Sequence, residues 1–428
     1  MGESPRLWLF WKDYIEMDWE SLTQKLRRIG VQVGLEKPLN SNNKSSRSID
    51  QVVVGRDINT HYGAVFSSNH HYLPGYLHGN QPLRPVQSMA GITQWAKAQH
   101  LESEDLENFV FLDTETTGLS GGTGTMAFMV GVGRFRGSEF VLEQFFLRGP
   151  AEEAALLAAL SEFCDSICAV VTYNGKAFDI PILNMRYILQ GFNSPFENLP
   201  HFDLLHLTRR IWRARLEQCN LGNIEQQVLG LKRDANEVPG YLVPEYYSQY
   251  LRDGDAEPLK GIFYHNEQDV ISLAALFAML ADILANPMEW HSPYFQDITA
   301  VGRVLEKMGN LDQASQMYQK SASFDNSDDL RLEPILYQAR LYKRNQQLDQ
   351  AIPLWTETAK LGSFEALEEL AKYYEHTCKD PQTALGFTNS AIMYLSEDPN
   401  MPNRNKLLDS FIHRRKRLQN RIKPRLSS

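Results

Sequence analysis

Phe109-Val110-Phe111-Leu112-Asp113-Thr114-Glu115-Thr116-Thr117-Gly118 is the stretch on which the fold turns. Four apolar, β-prone residues lead into two acids spaced two apart, then into a Thr-Gly turn signal. Strand side chains repeat every two residues, so Asp113 and Glu115 leave the sheet on the same face. Two ionised acids there repel one another and resist desolvation, a cost that a divalent cation between them offsets. A polar strand end entering a turn is the competing reading, and it explains neither acid.

Around this strand the pattern predicts further short β-prone runs over Thr125–Phe135, Glu139–Leu147 and Ala169–Tyr173, with helices over Ala151–Cys164, Asp179–Gln190, Asn223–Leu229 and Asn266–Ala285. Three strands in a meander, then helix, strand and helices, give an α/β plan with one mixed sheet. Two more groups of chemical residues fall at element ends. Tyr173-Asn174-Gly175-Lys176-Ala177-Phe178-Asp179 follows a strand and opens a helix, which puts a third carboxylate at the sheet's edge, although Asp179 would also serve the helix dipole alone. Tyr264-His265-Asn266-Glu267-Gln268-Asp269 runs into the apolar helix Val270–Leu280. Residues four apart on a helix differ by about 40° in azimuth, so His265 shares a face with Asp269 while Tyr264 points about 140° away. A histidine beside a carboxylate that binds metal is a natural proton acceptor near neutral pH.

Asp113, Glu115, Asp179 and Asp269, in this order and setting, resemble the DEDD superfamily of 3'-to-5' exonucleases over about residues 108 to 285. The resemblance implies a ribonuclease H-like fold, two Mg²⁺ or Mn²⁺ ions held by the four acids, and a base that deprotonates the attacking water while the ions activate it and stabilise the leaving 3'-oxygen. It makes Asn174, Phe178 and Thr116 the candidate substrate contacts, by hydrogen bonding and by stacking of Phe178 on the terminal base. The histidine branch of that superfamily carries His five residues before the last Asp, and the tyrosine branch carries Tyr four before it. Here the two types are exchanged, and the helical azimuth selects His265 over Tyr264. The whole layout is most similar to the bacterial mitomycin repair factor B (YprB) family, which implies DNA repair beside a partner helicase. An exoribonuclease that trims RNA, or an adaptor with an inert nuclease domain, are the competing functions.

The rest of the chain divides by composition. Residues 1–100 read as an N-terminal extension, with an amphipathic segment at Trp19–Ile29, a polar linker at Asn40–Ser48, a possible second start at Met17, and an aromatic and imidazole-rich stretch, His61–His78, taken as loop packing rather than a metal site. Residues 101–287 hold the nuclease-like part, and Gly121–Gly124 read as a hairpin connection. In residues 290–400, Leu311-Asp312-Gln313-Ala314 recurs as Leu348-Asp349-Gln350-Ala351, with an echo ending at Ala384, and this resembles tetratricopeptide repeats that would take a protein partner. Residues 401–428 form a basic tail, suited either to phosphate contact or to capping the last repeat.

Composition narrows the classes further. The chain of 428 residues, 43% apolar and 22% charged, is globular in character. No apolar run is expected to reach the ~18 residues of a membrane span, and Leu7–Trp11 lacks the features of a signal peptide, so a cytoplasmic location without membrane contact is expected. Four cysteines match neither a disulfide framework nor a zinc pair. The net charge of −9 is unevenly spread: residues 101–285 carry 26 acidic and 13 basic side chains, and residues 401–428 carry 1 and 9. An acidic middle between basic ends suits cation binding with DNA, or RNA, contacted from elsewhere.

Overall fold

The computed structural model describes residues 46–118, 124–231, 238–324, 328–397 and 403–422, side chains excepted at 328–331. The fold lies within the unit Arg47–Ser428. The amphipathic segment at Trp19–Ile29, Met17, most of the linker and most of the glycine cluster fall outside the described residues. A short helix α1 (Ile49–Val52) leads into strands β1 (Arg56–Thr60) and β2 (Gly63–Tyr72), a small hairpin β3 (Leu77–His78) and β4 (Gln81–Pro82), and helix α2 (Ala90–Trp95). Strands β5 (Phe109–Thr116), β6 (Ala127–Arg136) and β7 (Glu139–Phe146) then form the expected meander. Helix α3 (Glu153–Phe163), strand β8 (Ala169–Thr172), helix α4 (Asp179–Leu189), strand β9 (His201–Asp203) and helix α5 (Leu204–Trp212) complete the sheet region. Helices α6 (Leu221–Ile224), α7 (Val243–Asp253) and α8 (Lys260–Ala285) follow.

The seven strands stand in the order β1-β2-β7-β6-β5-β8-β9. Only the β5–β8 and β8–β9 pairs are parallel, so the sheet is mixed. Two of its strands, β1 and β2, come from the stretch read as an extension. His61–His78 is therefore not loop packing: residues 63–72 form a full strand that pairs with β7 from Phe66↔Phe146 to Tyr72↔Phe140. Its polar residues are satisfied inside the fold, because Ser67 and Asn69 both donate to the buried Glu143 on β7.

Strand β5 is central and covered on both sides, with Phe109 to Leu112 at 0% exposure. Phe109 and Phe111 face α8, where Phe277 meets both rings at 5.9 and 5.7 Å. Val110 and Leu112 join the opposite core with Leu156, Leu160 and Leu183 of α3 and α4. From Val270 to Ala281 helix α8 is almost wholly apolar and buried, as a helix segment enclosed by protein must be. It is long and apolar enough to cross a membrane, which corrects the expectation that no such run exists, and 78% of its apolar window is buried inside the fold.

Beyond α8 the described residues are helical: α9 (Phe295–Met308), α10 (Leu311–Ala322), α11 (Asp328–Arg344), α12 (Leu348–Lys360), α13 (Phe364–His376), α14 (Pro381–Glu397) and α15 (Arg404–Ile422). Ala314, Ala351 and Ala384 are each the fourth residue of α10, α12 and α14 and are fully buried. The repeated alanine thus marks one structural position, where the lack of a large side chain admits the neighbouring helix. Ile298, Val301, Leu305 and Tyr318 share a core with α5 and α8, so the helical region is built onto the nuclease-like part.

The described part of the basic tail, α15, docks on the helical region. Arg414, Arg417 and Arg421 converge on Glu375 at 2.8 to 3.1 Å, while Phe411 and Leu418 are buried. Burial works to raise the Glu375 pKa, but the hydrogen bonds and charge of Arg417, with His376 and Arg414, hold it below its usual value of 4.5. A group depressed in this way stabilises the fold above its unfolded pKa and loses that effect as pH falls through the folded one. Glu375→Gln is therefore expected to cost about 1 kcal/mol near neutral pH, a value reduced by the exposure of Arg417 and Arg421. Melting curves of parent and variant should converge as pH falls through the lowered folded pKa of Glu375, and a constant difference across the pH range would rule out the ionic role.

Candidate active site

The acids emerge where β5 outruns its parallel neighbour. The β5–β8 ladder ends with Phe111 opposite Val171, whereas β5 continues against β6 with Asp113 opposite Gly131 and Glu115 opposite Met129. Alternation along β5 turns Asp113 and Glu115 toward α8 and turns Thr114 to the other side. There the Thr114 hydroxyl donates to Asp179 Oδ1 at 2.5 Å, at the first residue of α4. One strand end thus holds acids on α8 and α4 at once.

Helix α8 starts at Lys260, five residues before His265, so His265 lies well inside helical structure. The His265 ring Nε2 is 3.5 Å from Asp269 Oδ2 and 4.0 Å from Glu115 Oε1. Asp113, Glu115, Asp179, His265 and Asp269 therefore come together. Tyr264 is half-buried and lies near Tyr76, whose pKa is raised by burial first, then by Glu267 and Tyr264.

Asn266, between His265 and Glu267, was not recognisable as a site residue by spacing. It is fully buried, and its amide donates to Asp113 Oδ2 at 2.9 Å and to the Asp113 carbonyl at 3.3 Å. Gln144 of β7 donates to Asn266 Oδ1 at 2.9 Å and to the Phe263 carbonyl at 2.8 Å. The arrangement needs Gly131, since a Cβ there would lie 2.1 Å from Asn266 Oδ1. Next door, Glu267 accepts from the Tyr72 hydroxyl and stands 3.2 Å from His70 Nδ1, so β2 braces the same turn of α8.

The turn before α4 is fixed from beneath. Asn174 adopts a left-handed φ of 68°, a conformation Asn tolerates. Its N–H donates to Asp203 Oδ1 at 2.8 Å, and Lys176 N–H donates to Oδ2 at 3.2 Å. Asp203, 3% exposed, also caps α5, so it acts as an anchor for the turn. Gly175 lies against Asp179, whose Oδ2 would be 2.8 Å from a Cβ at that position. Phe178, immediately before Asp179, is 46% exposed, and the Thr116 hydroxyl donates to the Gly118 carbonyl at 2.9 Å.

The electrostatics mark the acids as a group. Burial, then the charges of Asp269, Asp179 and Glu115, push Asp113 well above the usual carboxylate range, against the Asn266 hydrogen bond. Burial pushes Glu115 up to about 8, opposed by His265 and aided by Asp269 and Asp179. Asp179 is pushed up to about 6 by burial, against its bonds to Thr114. Among the described residues no three His, Cys, Asp or Glu side chains already stand at metal-coordinating distance. The donor set still fits a hard divalent cation: it is carboxylate oxygen, buried, and made unfavourable by its own repulsion. Asp113, Glu115, Asp179 and Asp269 would hold it.

Residues 110–281 match the RNase_H_2 family of the RNase_H superfamily. This region is thus a nuclease domain of the ribonuclease H class, whose members hydrolyse nucleic acids and generally use divalent metal ions. The chain is 35% identical over 286 residues to "Uncharacterized protein YprB" of Bacillus subtilis (strain 168), over 65% of this chain and 67% of the relative. The chain belongs to the YprB family. Among solved structures, the family B DNA polymerase of Pyrobaculum calidifontis matches with a TM-score of 0.31 at 17% identity, over 47% of this chain and 29% of that one.

Raised carboxyl pKa values stabilise the metal-free fold below the unfolded pKa and cease to do so as pH rises through the folded values. Without metal, the melting temperature is therefore expected to fall by several degrees from pH 5 to 8, with Glu115→Gln flattening the upper part. A flat parent profile would show that the acids are not crowded in solution. Asn266→Ala strips a donor from buried Asp113 and should cost about 1–3 kcal/mol, and Gly131→Ala should reproduce its effect on activity by displacing Asn266. If Gly131→Ala left both the melt and the rate unchanged, the Gln144–Asn266–Asp113 chain would have no positioning role.

Proposed function

We propose that the chain is a divalent-metal-dependent 3'-to-5' exonuclease acting on DNA. The observation that carries the reading is the meeting of Asp113, Glu115, Asp179 and Asp269 at one strand end, with His265 between Glu115 and Asp269. Two divalent cations, Mg²⁺ or Mn²⁺, supply Lewis-acid stabilisation of the phosphate's charge when bound to the four acids. His265 takes the proton of the attacking water at Nε2, and Asp269 and Glu115 stabilise the imidazolium that forms. Phe178, exposed at the head of α4, offers a stacking face to the terminal base, and the Asn174 turn and Thr116 border the same end of the sheet. A role in DNA repair beside a helicase, with the helical region as a protein-binding array, rests on resemblance to the mitomycin repair factor B family.

The decisive experiment follows 5'-labelled single- and double-stranded DNA, and RNA of the same sequence, with Mg²⁺ or Mn²⁺ and with EDTA. A stepwise ladder of shortening products is expected from DNA, abolished by chelator and by Asp113→Asn or Asp269→Asn. His265→Ala should lower the rate about 10²–10⁴-fold while Tyr264→Phe is mild. Cleavage of a covalently closed circle, or turnover in EDTA, would defeat the reading, and faster turnover of RNA would make the enzyme an exoribonuclease.

A further inference from the structure

Four arginines follow the third carboxylate's turn along α5 and just beyond it, and the structure separates them into two kinds. Arg215 is committed internally: it bonds Asp297 at 3.1 Å and stacks over Tyr294 at 4.1 Å. Arg209, Arg210 and Arg213 are exposed and form no ion pair among the described residues. They face Arg303 and Lys307 of α9 across a concavity of about 340 Å³, whose single acid is Glu333. Arg303 and Lys307 are also exposed. Five cations gathered on two elements around one carboxylate repel each other, and nothing in the packing of α9 against α5 requires them on that side.

The concavity is continuous with two others. Arg209 and Arg213 also line a cleft of about 680 Å³ that reaches Tyr173 and Asn174, the turn leading to Asp179. Arg303 and Lys307 also line a cleft of about 590 Å³ that runs to Tyr337 and Trp355 in the helical region, where Arg340, Lys343 and Arg344 are paired with Glu365, Glu369 and Glu306. The Arg303 guanidinium lies 5.0 Å over the Tyr337 ring, which shows that a planar cation and an aromatic face are already paired along this wall. The order along the surface is therefore catalytic turn, arginine cluster, α9, aromatic wall.

We propose that this path is a binding groove for the phosphate backbone of single-stranded nucleic acid, which leads the strand from the helical region across α9 to the Asn174 turn. The helical region then contributes directly to substrate binding through Arg303 and Lys307. Arg209, Arg210 and Arg213 on one wall, with Arg303 and Lys307 on the other, match phosphates spaced along a strand, and a strand in the groove relieves the repulsion among the five cations. The proposal deepens the nuclease reading and rests on it for the direction of the strand, but the groove has its own test.

The test is Arg303→Gln with Lys307→Gln, on a helix remote from the acids. Anisotropy titrations in EDTA, over a salt series, use labelled 20-nucleotide single-stranded DNA, RNA of the same sequence, and poly-glutamate as a non-nucleic polyanion. Loss of two phosphate contacts should make the salt slope of the 20-mer shallower by about 1.4 and weaken binding about 25-fold near 0.1 M salt. The metal-activated rate on a dinucleotide, too short to leave the catalytic turn, should not change. Arg303→Lys with Lys307→Arg keeps the charge and should bind as the parent does, with matching melting curves for all three proteins. Equal binding of the 20-mer by parent and Gln variant, or poly-glutamate binding as tight as DNA and RNA, overturns the groove. If the parent hydrolyses DNA but the Gln variant binds it normally, the groove fails and the nuclease reading stands. If no hydrolysis occurs but the salt slope shifts, the nuclease reading fails and the groove stands.

Discussion

The Asn266 amide occupies the space above Gly131 and holds Asp113 by its carboxylate and its carbonyl. This contact sets the height of α8 over the sheet. With Gln144 gripping Asn266 and the Phe263 carbonyl from β7, three strands and one helix are tied within a few residues of the acids. A buried amide with partners on each side is favourable only if every partner is present. The position of α8 is thereby specified more sharply than packing of its apolar sides alone would specify it. His265 and Asp269 inherit that placement, because they lie on the same two turns of helix.

The strand end works as a two-sided bracket. Asp113 and Glu115 address α8 from one face, and Thr114 addresses Asp179 of α4 from the other. Acids carried by two helices that never pair directly in the sheet are thus brought to one point by alternation along β5. Desolvation opposes this arrangement: all three resolved pKa shifts are upward with burial as the leading cause. The fold tolerates the repulsion because its rigid elements are anchored elsewhere, by Asp203 under the Asn174 turn and by the Phe109, Phe111 and Phe277 rings below the site.

How much of this could be read in the sequence depended on whether a residue's role was local. The apolar run before Asp113, and the helical spacing of His265 and Asp269, are local, and the meander and α8 follow from them. Asn266 is different: it makes sense only once Gly131 is placed opposite Asp113, a pairing between strands that no spacing rule contains. Strand β2 was hidden for a related reason. Its run Ser67-Ser68-Asn69-His70-His71 looks like a polar loop until Glu143 is placed beside it to accept from Ser67 and Asn69. Strand β9, three residues long, offers too little periodicity to detect. In the tail, Arg414, Arg417 and Arg421 find Glu375, a residue about 40 positions upstream that the composition could not link to them.

The distribution of charge then places a condition on substrate binding. The chain as a whole is acidic, and residues 101–285 carry twice as many acids as bases, so the far field repels a polyanion. At physiological salt the Debye length is about 8 Å, which screens most of those acids from a strand lying in a particular cleft. What the strand feels is the set of charges within that distance. Beside the acids, local cations must therefore stand on the approach, outside the point where negative charge is concentrated and in reach of the next phosphates along. Arg209 and Arg213 meet that condition, since they border both the Asn174 cleft and the α9 concavity. A crowded acidic centre and an unpaired basic approach are thus two parts of one electrostatic arrangement, the first suited to holding cations and the second to bringing phosphates to them.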